Sequence, residues 1–136
     1  MSDNRREALE ALRDKVKAGV DIQPREFRVI APEGLIANDD LYEFWIDAWV
    51  NAEKAHNGSL DAARVLHDAV LPGWGASISV KERDDGFVMA WLSENLNHNP
   101  KARRAEYRGY KIDPARAWLL AILSALISET PKGETP

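Results

Sequence analysis

A chain of 136 residues, 45% hydrophobic and 29% charged, is one ordinary globular domain, with apolar material for a single core and not for two. Its net charge of −4, from 18 basic and 22 acidic residues, argues against bulk electrostatic capture of nucleic acid or an anionic membrane, while leaving room for a local basic patch. The absence of cysteine excludes disulfides, zinc-thiolate sites and thiol catalysis, and makes the cytoplasm the expected compartment.

The opening "MSDNRREALEALRDK" is charged throughout and lacks the apolar core of a signal peptide. Residues 3–18 predict a helix with Leu9, Leu12 and Val16 on one face and Gly19 as its stop. So narrow and charged a helix is expected to pack late, or against a partner, away from the centre of the core. Residues 20–37 are broken by Pro24, Pro32 and Gly34 and read as an irregular connector, with "EFRVI" as one short candidate strand. A second helix follows, capped by Asn38 or Asp39, with Leu41, Trp45 and Trp49 at i, i+4 and i+8 and with Phe44, Ile46 and Ala48 alongside. Gly58 ends it, and Ser59 caps a third helix, "LDAARVLHDAVL". There Ala62, Val65, Leu66, Ala69 and Val70 form the expected buried side, and Asp61, Arg64 and Asp68 the wet one.

After "LPGWG" the hydrophobic period changes from about 3.6 residues to 2. Pro72 cannot continue the helix, so Trp74 is expected at a helix-to-sheet corner, covering the sheet's edge or the last helix. "ASISVKER" is a first strand with Ile78 and Val80 on one face. Asp85-Gly86 makes a hairpin turn, and "FVMAWLS" is the second strand. A polar loop leads to a third strand, "RAEYRGY". Asp113 and Pro114 then open a last helix, whose run "AWLLAILSALI" is about half the roughly 20 residues of a membrane span. The final "ETPKGETP" reads as a disordered tail.

Both faces of the second strand are apolar: Phe87, Met89 and Trp91 on one side, Val88, Ala90 and Leu92 on the other. Such a strand is expected at the centre of a sheet with both sides covered. The last helix is apolar all round and must be buried all round. These patterns predict an α+β fold, a three-stranded antiparallel sheet packed between helices, with an αβββα core and extra N-terminal helices. The last helix is expected on one sheet face and the earlier helices, or a second copy of the chain, on the other; homodimerisation is the economical way to finish the burial. The expected divisions are an N-terminal helix and connector over 1–37, a helix-sheet-helix domain over 38–128, and a tail over 129–136.

The blocks "AHNGSLDAARVLHDAVLPGWG" and "DPARAWLLAILSALI" resemble small proteins of alphaproteobacterial phages and prophages with a helix-sheet-helix ("ABA") sandwich domain, over roughly residues 55–128. The resemblance implies a fold and a phage origin in a bacterial cytoplasm; it carries no catalytic motif. The element order is also that of double-stranded-RNA-binding domains, but those need a lysine-rich opening to the final helix, and here it reads "IDPARAW". A looser likeness in topology links the chain to antitoxins with a partial ribonuclease-H fold.

His56, His67 and His98 have no zinc-site spacing and read as solvated or capping residues. With no nucleophile elbow and no phosphate-cradling glycines, no enzyme, metal or cofactor is expected. The candidate interaction residues are Lys101, Arg103, Arg104, Tyr107, Arg108, Tyr110 and Lys111. On a strand, Arg104, Glu106, Arg108 and Tyr110 share one face, a platform for phosphate or for an acidic protein surface; the alternative is a charged edge that blocks unwanted strand pairing. Trp91 and Trp118 are expected in the core, and Trp45 and Trp49 in a second helical layer or an aromatic interface. The expected function is that of a non-enzymatic phage accessory protein binding a host or phage protein, with an inhibitor of host defence of the anti-CRISPR kind as its concrete form. The alternatives are a nucleic-acid-binding module using Lys101–Lys111, or an antitoxin-like regulator.

Overall fold

The computed structural model describes residues 2–30, 39–81, 86–94 and 103–129. The chain order is α1 (Ser2–Ala18), a 3₁₀ helix (Pro24–Ile30), α2 (Asp39–His56), α3 (Leu60–Val70), β1 (Gly75–Lys81), β2 (Phe87–Ser93), β3 (Arg104–Tyr110) and α4 (Pro114–Glu129). The strands form an antiparallel sheet in the order β1-β2-β3, with β2 at its centre. The α+β class and the order of elements are those expected. His98, Lys101, Asn38, the hairpin residue Asp85 and the tail beyond Glu129 lie outside the described residues, as does the side chain of Leu41.

The local signals act as their chemistry requires. The Ser59 hydroxyl accepts the backbone N–H of Ala62 at 3.1 Å, and the Asp113 carboxylate accepts that of Ala115 at 2.8 Å, so each satisfies an N-terminal amide that the helix itself leaves unbonded. Gly19 and Gly86 carry positive φ, 72° in both cases, where a side chain is strained.

Two elements differ from expectation. Pro24–Ile30 is a 3₁₀ helix and not a strand. Its three-residue repeat brings Phe27 and Ile30 to one side, and both are buried; a strand would have pointed them to opposite sides. This helix packs on α2 and α1. The face of α1, Leu9, Leu12 and Val16, is fully part of the core and lies against α4, so α1 needs no partner to cover it. Arg6 reaches the last turn of α4 and donates to the Ile127 carbonyl at 3.0 Å. At the other end a Cβ on Gly19 would touch the Arg116 guanidinium. The two helices therefore run antiparallel.

The layers stack in an order that hydrophobic patterning does not reveal. α4 packs against β2 and β3 on one side and against α1, α2 and α3 on the other, so it is the middle layer. Ala115, Ala117, Leu119–Leu123 and Ala125–Ile127 are all buried. The expectation that earlier helices cover the far side of the sheet gives way to this stacking, because α1–α3 are used up in covering α4. The burial of α4 is completed within one chain, which removes the original reason for a homodimer. On β2, Val88, Ala90 and Leu92 face α4 and are buried, while Phe87, Met89 and Trp91 on the opposite side are half-buried.

Truncation of a residue in this middle layer removes contacts on both sides at once. Leu123→Ala is expected to lower unfolding free energy by about 3–5 kcal/mol in urea titrations, the upper part of the range for buried leucines.

Candidate functional site

The open face of the sheet is fixed by register, since directly opposed residues in antiparallel strands share a face. Trp91 stands between Ser77 and Glu106, Met89 between Ser79 and Arg108, and Phe87 between Lys81 and Tyr110. An apolar row thus runs along the middle of the face, with Ser77, Ser79 and Lys81 on its β1 side and Glu106, Arg108 and Tyr110 on its β3 side. Among the described residues Lys81, Arg104 and Arg108 set three cations on this face against the carboxylate of Glu106, on a chain whose net charge is −4.

The candidate cations separate into two groups. Arg103 precedes β3 and is held by two carboxylates, Glu94 at the end of β2 and Glu129 at the end of α4. Its Nε donates to Glu94 at 2.9 Å and its backbone N–H does so at 3.1 Å. These bonds hold the Glu94 carboxyl below the usual carboxylate range and raise the Arg103 guanidinium further. Arg103 is therefore a clamp between strand and helix ends, and is already engaged. Arg104 and Arg108 lie on the open face. The Arg104 guanidinium sits 5.9 Å from the centre of the Trp91 ring, a cation–π arrangement, and Arg108 Nε donates to Glu106 at 3.2 Å. Tyr110 is 65% exposed and packs its ring 5.3 Å from that of Phe87.

The other predicted residues fall elsewhere. Tyr107 is half-buried on the α4 side of β3. Its ring lies along the strand where Gly109 has no side chain; a Cβ there would come within 2.5 Å of the tyrosine oxygen. Lys111 follows β3 with φ 55° and ties the strand to the hairpin, its N–H donating to the Gly86 carbonyl at 3.0 Å. Trp45 is buried and Trp49 half-buried, so these two belong to the helical layer and not to an exposed aromatic face. Trp91 and Trp118, expected in the core, are only half-buried. Trp91 is the centre of the open face, a role that the register reveals and hydrophobicity alone does not.

The histidine expectation is also corrected. His56 and His67 are 1% and 3% exposed. The Trp118 indole N–H donates to Nδ1 of His67 at 3.3 Å, so the ring proton sits on Nε2 and is donated to the Trp74 carbonyl at 2.8 Å. This bond anchors the "LPGWG" corner to α3, while Trp74 and Leu126 of α4 line one cavity of about 360 Å³. Trp74 is half-buried against the core at this corner, between α3 and β1. Val65, expected on the buried side of α3, is 52% exposed, because His67 takes the inward position. Among the described residues no three His, Asp or Glu side chains gather as a metal site, and no helix is long and apolar enough to cross a membrane. Comparison with family models, curated proteins and solved structures finds no match to this chain.

Two outcomes test the geometry around β3. A carboxylate depressed by its partner contributes stability that is present above its unfolded pKa and is lost as pH falls through the folded one. In Arg103→Gln the Glu94 carboxyl should therefore titrate at higher pH, back toward the ordinary carboxylate range, in a carbon-detected NMR titration. Gly109→Ala, in which the new methyl meets the Tyr107 ring, should cost about 1–3 kcal/mol in thermal or urea unfolding.

Proposed function

We propose that this protein is a non-enzymatic binding protein that engages another protein through the open face of its sheet. The observation that carries this reading is the half-buried row Phe87, Met89 and Trp91, over which none of the described helices packs, flanked by Arg104, Arg108 and Tyr110. Tryptophan, tyrosine, methionine and arginine are the residue types enriched at protein interfaces, and a central tryptophan framed by arginines is the usual makeup of a hot spot. The three cations on this face, in an otherwise acidic chain, favour a partner with an acidic rim around an apolar centre.

Single-stranded nucleic acid is the second reading, because aromatic rings and arginines on a sheet can also stack and hold bases. It is less favoured on two observations. The chain's net charge is −4, and Glu106 stands between Arg104 and Arg108 opposite Trp91, so the face offers phosphates no continuous basic track. A phage or prophage accessory role in the bacterial cytoplasm, with inhibition of a host defence system as its concrete form, rests on the sequence resemblance alone, as does an antitoxin-like regulator on its topology.

A photo-crosslinking residue at the exposed Ser77 position reports on this face directly. One specific protein should be captured from host extract, and its affinity should fall by a factor on the order of 30 or more in Trp91→Ala, a loss of hot-spot size. The double variant Arg104→Glu, Arg108→Glu should lose binding as well, with both folds checked by circular dichroism. Sequence-independent binding to RNA or DNA at about 0.1 M salt, abolished by the same arginine changes, would overturn the reading in favour of nucleic acid.

A further inference from the structure

The two edges of the sheet are built differently. β3 presents Arg104, Glu106 and Arg108, the kind of charged edge that discourages further strand pairing. β1 reads "GASISVK", with no proline and no charge before its last residue. It pairs with β2 residue for residue from Gly75 opposite Ser93 to Lys81 opposite Phe87, without a bulge. A regular, uncharged outer strand is a template for another strand.

Cover is also short on this side. α4 packs closely under β3 and β2 and reaches β1 only marginally. Ala76, Ile78 and Val80 share the α4 side of β1, yet Ala76 is exposed, Ile78 only half-buried and Val80 48% exposed. β1 is the outer strand of the sheet, so no described strand flanks these residues on the side away from β2.

We propose that β1 is the pairing edge of a symmetric dimer, in which two copies of β1 run antiparallel about a two-fold axis at Ile78 and join two sheets into one of six strands. The sequence of the strand is self-complementary about that point, as a two-fold interface requires. Ile78 meets the partner's Ile78, and Ala76 meets the partner's Val80, so apolar residues meet on the helix side. On the open side Ser77 meets the partner's Ser79, and Lys81 meets the partner's Gly75, so no like charges oppose each other. A dimer through the open faces would set the three cations of each copy against those of the other, which disfavours that arrangement. In the edge dimer the two open faces become one surface, with the two β2 strands about 14 Å apart, three strand spacings. It stands or falls independently of what the open face binds.

The natural chain has no cysteine, so single cysteines report register cleanly. Directly opposed residues lie about 4.5–5.5 Å apart at Cα, within disulfide reach. Under mild oxidant Ile78→Cys should form a covalent dimer, whereas Ser77→Cys, whose opposite residue is the partner's Ser79, should link far less. Sedimentation velocity on the unmodified chain should show a reversible dimer with a Kd on the order of micromolar, as expected for a small interface. The double variant Ser77→Lys, Ser79→Lys alters only the solvent side of the strand and should weaken association tenfold or more. Mixing it with Ser77→Glu, Ser79→Glu should restore a mixed dimer. A chain that stays monomeric up to its solubility limit would overturn the proposal. So would a dimer that survives the lysine variant and leaves Ile78→Cys unlinked, because that dimer would use another surface.

Discussion

The whole arrangement depends on α4 having no wet side. Its buried positions run almost continuously from Ala115 to Ile127, and a helix of this kind must be enclosed on every side. With 136 residues the material is limited. The sheet supplies one wall; α1, α2 and α3 supply the other. Once three helices are committed to that wall, none of them is left for the far side of the sheet, and Phe87, Met89 and Trp91 are left half-buried. The open face is thus a consequence of covering α4.

The same centrality explains where the polar ties are placed. Helix ends expose unbonded carbonyls that attract cations. Arg6 on α1 reaches the Ile127 carbonyl at the end of α4. Arg116 on α4 donates twice to the His56 carbonyl at the end of α2, at 2.8 and 3.0 Å. The His56 ring lies 2.7 Å from the Val20 carbonyl just beyond α1. Three helices are therefore joined end to end through α4 by charge-assisted or buried bonds, the stronger kinds. Arg103 continues the pattern by linking the end of β2 to the end of α4. This is why a basic stretch that looks uniform in sequence divides into a structural arginine and two arginines available to the open face.

Much of the fold was legible because local chemistry decides it. Ser59, Gly58 and the Asp113-Pro114 pair announce helix boundaries by what their side chains and backbones can do. The change of period after Trp74 announces strands. The two apolar sides of β2 correctly placed that strand at the centre of the sheet. The same pattern could not say whether both sides were covered, since Phe87, Met89 and Trp91 look alike under a helix or as an interface. Pro24–Ile30 was ambiguous for a related reason: seven residues are too few to separate a period of three from a period of two. His67 was misplaced because the partner that makes its burial tolerable, Trp118, lies 51 residues away. Long-range satisfaction of a polar ring leaves no local trace.

The under-covered strand has a geometric origin that follows from the same stacking. A helix is about 10–12 Å across with its side chains, and strands lie about 4.8 Å apart, so one helix covers roughly two strands. Three strands over one middle helix must leave one apolar side short of cover. Here α4 sits under β2 and β3, and the shortfall falls on β1. Covering β2 is obligatory because Val88, Ala90 and Leu92 are its inward side chains; β3 contributes Ala105 and the lengthwise Tyr107 ring, and β1 only Ala76, Ile78 and Val80. The strand with the smallest side chains at its start is the one that α4 leaves to the rim. An edge in that position is either guarded by charge or used. β1 has its only charge at Lys81, where an antiparallel copy presents a glycine, so the charge that would normally guard the edge is placed where it does not obstruct pairing.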